Sequence, residues 1–358
     1  MNPVTRLVQF TTKRLSLTFN TPTVMKKYLL LFLLTVVILK SYSADKEKWK
    51  VYRTNNSELA DNVVLVSFID STNKYWFGTE SKGISVLDNE KWTNYNTGTC
   101  GISANSIYAM ATDLYGIMWI GTYGKGVSTL DKGNWDTYTT ENSDLPHDYV
   151  HTIVVDPQGN KWIATGDSGI TKFDGEKWER YTDINSDLPD NVVYTAAFDK
   201  NGTAWFGTES GGLAKFDGKT WTVFQKTNSG LPDNWISDIV IDKNDMIWIA
   251  TLGGGLACFN PTETDKEKAW KVYNSNNSGV TNNAVYSIAI DKDNNKWIGT
   301  GGGGLLKFDG DSTWTVFDKT NSQLPKDFVY TVTIDKNSNK AIGTWKGGVA
   351  IFNEEGIK

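Results

Sequence analysis

From Trp49 onward the chain alternates short apolar runs with clusters of Gly, Asn, Asp and Ser. One period reads Val192-Val-Tyr-Thr-Ala-Ala-Phe198, closed by Asp199, then Ala204-Trp-Phe-Gly-Thr208. After a glycine pair come Leu213-Ala-Lys-Phe216 and, past a tight turn, Trp221-Thr-Val-Phe224. Runs of this length, rich in aromatic and β-branched residues and bounded by turn formers, predict β-strands. We label them A to D. The pattern recurs: Trp49, Trp92, Trp135, Trp178, Trp221, Trp270 and Trp314 stand 43, 43, 43, 43, 49 and 44 residues apart. A second series, Trp76, Trp119, Trp162, Trp205, Trp248 and Trp297, keeps the same step, with Ala341 in its seventh place. Two series sharing one period in the low forties predict blades of a propeller. Seven copies of each run predict an all-β, seven-bladed β-propeller of four antiparallel strands per blade, A innermost and D outermost.

The phase of the repeat predicts how the ring closes. The repeat region opens on a D-type run, Trp49-Lys-Val-Tyr52, and ends on a C-type run, Val349-Ala-Ile-Phe352. A last blade without an outer strand would expose a pairing edge, so residues 49–53 are expected to pair with 349–353. Two further positions are constant in all seven copies. Gly83, Gly126, Gly169, Gly212, Gly255, Gly304 and Gly348 end the B–C connection, where positive φ or close backbone approach is expected. Asp70, Asp113, Asp156, Asp199, Asp242, Asp291 and Asp335 end strand A, where a carboxylate can accept bonds from turn N–H groups. The loop Asp291-Lys-Asp-Asn-Asn295 faintly resembles a calcium loop, but the other six do not supply converging oxygens, so the acids read as turn formers.

Composition changes the picture mainly at the N-terminus. Residues 1–44 hold six basic residues and no acid, so the remainder carries −11 against −5 for the whole chain. An acidic body argues against nucleic acid or an anionic membrane surface as partner. Met25-Lys-Lys begins a run of about a dozen apolar residues to Leu39, followed by Lys40-Ser-Tyr-Ser-Ala44. That order predicts a signal peptide at 25–44, cut near Ser43 or Ala44, and a periplasmic or secreted protein. The run is shorter than the roughly 20 residues of a spanning helix, and no second candidate span follows. Residues 1–24 read as an upstream extension, with translation expected to start at Met25, and 45–358 as a single propeller. Cys100 and Cys258 fall in different repeats and are expected to be free thiols.

Variable positions on one rim are the candidates for recognition. The D–A and B–C loops share one face of a propeller, here the top, where strand A begins. Near the start of strand A stand Leu65, Tyr108, His151, Tyr194, Ser237, Tyr286 and Tyr330; two residues earlier stand Val63, Ser106, Tyr149, Val192, Trp235, Ala284 and Phe328. After strand B come Glu80, Tyr123, Gly166, Glu209, Leu252, Gly301 and Trp345. Aromatic faces with neighbouring hydroxyls and carboxylates suit the C–H face of a sugar. The candidate ligand-binding set is Tyr108, Tyr123, His151, Tyr194, Glu209, Trp235, Tyr286, Tyr330 and Trp345. The alternative for the Tyr column is packing between neighbouring A strands. No catalytic or metal-binding set is assigned and no cofactor is expected: His147 and His151 are the only histidines, their spacing is not that of a helical zinc motif, and no nucleophile elbow or phosphate loop occurs.

The string Asn-Ser-x-Leu-Pro-x-Asn, a strand ending in Asp, then Trp-Ile-Gly-Thr, Gly-Gly-Leu and Lys-Phe-Asp-Gly resembles the two-component regulator propeller repeat, over residues 49–358. The resemblance implies an exported, non-enzymatic sensor-like module of the kind found in the periplasmic half of Bacteroidetes hybrid two-component systems, many of which recognise oligosaccharides. Those sensors usually carry two such rings, then a tyrosine-rich linker domain, a membrane helix and a kinase. The sequence ends at Lys358 without them, so signalling is expected to pass through a separate partner, such as a membrane-bound receptor. Two alternatives stand beside oligosaccharide binding. One is a lyase or hydrolase of the virginiamycin B lyase type, needing His151 near at least two rim acids. The other is a protein-interaction platform with a flat face.

Overall fold

The computed structural model describes residues 48–357, and the expectations for residues 1–24 and for the signal peptide lie outside them. Twenty-eight strands form seven four-stranded antiparallel sheets, each in the order A-B-C-D. Blade 1 holds Val64–Ile69, Tyr75–Thr79, Ile84–Asp88 and Lys91–Tyr95. The later blades follow in chain order, to Val329–Ile334, Lys340–Thr344 and Gly348–Phe352 in blade 7. The outer strand of that last blade is Trp49–Tyr52, paired from Trp49↔Phe352 to Tyr52↔Val349. Trp49 is buried and stacks on Phe352 at 4.0 Å between ring centroids, inclined by 16°. The expected clasp of the two ends is therefore present, one residue shorter than the sequence suggested. The described residues contain no helix long and apolar enough to cross a membrane.

Two devices recur around the ring, the first joining neighbouring blades and the second tying strand B to the A–B turn inside a blade. The first residue of strand A is β-branched and buried throughout: Val64, Ile107, Val150, Val193, Ile236, Val285 and Val329. It fits against a glycine or alanine in strand B of the preceding blade. A Cβ on Gly207 would stand 2.5 Å from Ile236 Cγ2, so the small residue is a notch for the neighbour's side chain. The second device uses the turn aspartate. Asp156 Oδ1 accepts the backbone N–H groups of Gln158 and Asn160, at 2.9 and 2.8 Å, while Oδ2 accepts the Trp162 indole N–H at 3.0 Å. The same indole bond joins Trp76 to Asp70, Trp119 to Asp113, Trp248 to Asp242 and Trp297 to Asp291. Blade 7 has Ala341 instead of Trp, and there Tyr75 and Asn73 of blade 1 donate to Asp335 at 2.5 and 3.1 Å. The missing indole is replaced across the closing seam.

The constant glycine meets both expectations. Gly212 has φ +83°, and a Cβ there would lie 2.3 Å from the Phe224 carbonyl oxygen. No L-residue with a side chain fits that geometry without strain. The same backbone turn lends a donor to the top face, as Gly169 N–H bonds to Asn191 C=O in the following D–A loop at 2.9 Å. The six extra residues between Trp221 and Trp270 enlarge the C–D turn of blade 5, around 260–269, on the face opposite the top loops. Cys100 and Cys258 are free.

Candidate functional site

Strand A pairs with strand B out of step at one point in every blade. In blade 4 Val193 pairs with Thr208 and Thr195 with Gly207, which leaves Tyr194 unpaired. The same shift leaves out Leu65, Tyr108, His151, Ser237, Tyr286 and Tyr330. A β-bulge adds one residue to a strand and re-aims its side chain. Here seven bulges re-aim seven side chains into one opening. All seven line a cavity of about 410 Å³ at the top of the central channel, joined by Trp235, Leu252 and a lower row that includes Thr152, Thr195, Asp238, Ser287 and Thr331.

A second regularity fixes the rim above the bulges. In each blade the carbonyl two residues before the bulge accepts the N–H of the first residue after strand B. The pairs run from Glu80 to Val63, through Tyr123 to Ser106 and Glu209 to Val192, to Trp345 and Phe328, at 2.8–3.1 Å. The two rim columns read from the sequence are thus bonded side by side seven times.

Six of the nine candidate residues (Tyr108, His151, Tyr194, Trp235, Tyr286 and Tyr330) form the cavity wall. Tyr123, Glu209 and Trp345 stand outside that wall. Tyr123 is 50% exposed and stacks on Tyr149 of the next loop at 4.2 Å, nearly parallel, with Tyr108 at 5.4 Å on its other side. Trp345 flanks Tyr330 at 6.2 Å. Within the wall, His151 meets Tyr194 at 4.9 Å, Tyr194 faces Trp235 at 6.2 Å, and Tyr286 meets Tyr330 at 5.0 Å. Ring contacts between neighbouring A strands thus join His151 to Tyr194 and Tyr286 to Tyr330, and these rings line the cavity as well. Trp235 keeps 40% of its surface exposed.

The electrostatics follow from enclosure. Burial pushes the Tyr330 phenol up to about 12, with its charged and phenolic neighbours Tyr286, Tyr108, Tyr194 and Glu80 adding to it. Burial, then the Glu209 carboxylate, raises Tyr194. Burial, then His147, lowers His151, which favours the neutral imidazole. Asp238, deep in the channel though partly open to its lumen, is raised by burial to about 6. Phenols and imidazole thus meet a ligand as neutral donors and acceptors. Among the described residues no three His, Cys, Asp or Glu side chains are grouped as a metal would require.

Three further residues at the mouth stand outside the candidate set. Tyr149 and Phe328 were in the variable column but not in the candidate set; Tyr149 is 38% exposed beside Tyr123, and Phe328 packs on Tyr286 at 4.9 Å. Asp238 follows the bulge in blade 5. Its signal was an acid where the other repeats have Val66, Ala109, Thr152, Thr195, Ser287 and Thr331.

The family model for the two-component regulator propeller matches residues 187–210 and 230–253. Each match runs from the D–A turn through strands A and B into the rim position after B. No curated protein sequence matches the chain at a significant level. Among solved structures, the extracellular domain of BT3049, described as a hybrid two-component system of B. thetaiotaomicron, is 26% identical with a TM-score of 0.75, covering 86% of this chain and 41% of that one. The extracellular domain of BT4673 from the same organism is 19% identical, with a TM-score of 0.69, covering 86% and 40%. The chain thus spans about two fifths of the length of these relatives. Virginiamycin B lyase from Staphylococcus aureus, 13% identical with a TM-score of 0.68 over 85% and 98%, shares the fold.

Proposed function

We propose, for a chain that carries the two-component regulator propeller repeat and is related to extracellular domains of two-component systems, that it is an exported binding module. Its ligand is an oligosaccharide held at the top mouth, and a separate membrane-bound receptor reads the bound state. The observation that carries this reading is the bulge in all seven A strands, which gathers four phenols, an imidazole and an indole-flanked rim around one opening. A sugar ring presents apolar C–H faces to such rings, and the Thr and Ser row beneath supplies hydroxyls for its polar edge. The rings are already packed on one another, so little side-chain freedom is lost on binding. The extracellular relatives and the leader-like segment at 25–44 support a periplasmic or secreted placement.

A thermal-shift or glycan-array screen tests the reading. We expect an oligosaccharide hit, weakened about tenfold or more by Tyr194→Ala and less by Trp345→Ala, which stands outside the wall; losing one stacked aromatic contact costs about 1 kcal/mol or more. A screen with no sugar hit, combined with specific capture of a receptor ectodomain on the top face, would replace this reading with the interaction-platform one.

A further inference from the structure

We propose that the mouth selects a positively charged amine, so that the oligosaccharide it takes carries unacetylated amino sugars; this rests on the mouth being a sugar site. None of the residues lining the cavity is Lys or Arg. The basic residues of the same face stand on the outer loops: Lys82, Lys125, Lys226, Lys319, Lys326 and Lys346 are exposed, and Arg53 is half-buried with its Nε donating to the Gly347 carbonyl. The wall offers π faces from Tyr108, Tyr194, Tyr286, Tyr330 and Trp235, and an ammonium is attracted to such faces when partly desolvated. Glu80 and Glu209 lie within electrostatic reach of Tyr108 and Tyr194. The charges that act on the wall phenols, Glu80, Asp190 and Glu209, are all negative, while Lys346 lies over Trp345 outside the wall.

Asp238 supplies the decisive comparison. Its Oδ1 accepts the Ile239 N–H at 2.9 Å and its Oδ2 the Ile288 N–H of the next blade at 2.8 Å, with the Thr195 hydroxyl as a third partner and no cation among them. At the equivalent position of blade 7, Thr331 Oγ1 accepts the N–H of Ser67 at 3.3 Å. A hydroxyl thus does the inter-blade work of the carboxylate, and Val66 and Ala109 show that blades 1 and 2 form without either. The fold does not require a charge at 238. Burying one without a counter-ion is unfavourable, and a cation in the cavity would offset that cost.

The test is calorimetric titration of the intact protein with four trisaccharides: a glucosamine trimer, its N-acetylated counterpart, cellotriose and a uronic-acid trimer. At neutral pH the amine trimer should bind about tenfold tighter than the two neutral ones, as one cation–π and carboxylate contact implies, and the uronate weakest. Asp238→Asn should abolish the preference, bringing the amine trimer to the affinity of the neutral ones. If that variant does not fold, the Glu80→Gln/Glu209→Gln pair on the exposed rim should narrow it. In the wild type the preference should also fall as the pH drops below about 6, where Asp238 takes up a proton. Equal affinity for the amine and acetylated trimers, or tighter binding of the uronate, overturns the inference and leaves the sugar site standing. Failure of all four to bind removes both.

Discussion

Asp156 shows how much one repeated side chain carries. One oxygen closes the turn after strand A, and the other fixes the indole of Trp162 and the amide of Asn160. In blade 4 the equivalent Asp199 closes its turn through Asn201 and Thr203, yet the buried Trp205 indole N–H has no hydrogen-bond partner. Asp156→Ala should therefore cost about 3 kcal/mol, and Asp199→Ala about 1–2 kcal/mol less, since bonds to a charged acceptor contribute roughly 1.5–3 kcal/mol. Chemical denaturation of the two variants checks the difference, and equal losses would show that the indole bond adds nothing. The turn role of these acids was legible in the sequence. Their second role was not, because a six-residue separation says nothing about which carboxylate oxygen turns back over strand B.

Among the elements, the strands were legible because each is short, apolar and bounded by turn residues, and the glycine after the B–C turn was legible because no copy tolerates a side chain. Gly212→Ala should cost about 2 kcal/mol or more, since it forces a side chain into a left-handed backbone and against the Phe224 carbonyl. Gly207→Ala should cost less, since blades 3 and 5 already place Ala164 and Ala250 in the same notch. Melting temperatures of the two variants measure this ordering directly. The bulge escaped sequence reading. Val193-Tyr-Thr-Ala-Ala-Phe198 looks like an uninterrupted strand, and nothing in its residues marks Tyr194 as the one that slips out of register. Yet that slip is what sends the Tyr column into the cavity.

At the scale of the molecule, blade number and ring closure were countable: seven markers, and a D-type run at one end matching a missing one at the other. Which rim residues meet was not countable, because residues more than two hundred apart in sequence, such as Tyr108 and Tyr330, become neighbours only when the ring closes. That is why the sequence could not say that Tyr123, Glu209 and Trp345 stand outside the wall formed by the other six candidates, nor that Asp238 lines it. The channel's other end is chemically distinct. There Phe68, Ala111, Val154 and Phe198 line an apolar recess of about 620 Å³, with no ring of phenols. The two ends give a clear contrast for the most direct measurement, a crystal structure of the protein soaked with the best-bound oligosaccharide. The account predicts sugar density at the top mouth, in contact with Tyr194, Trp235 and Tyr330. Density in the recess beside Phe198, or on the outer strands with the top mouth empty, would contradict it.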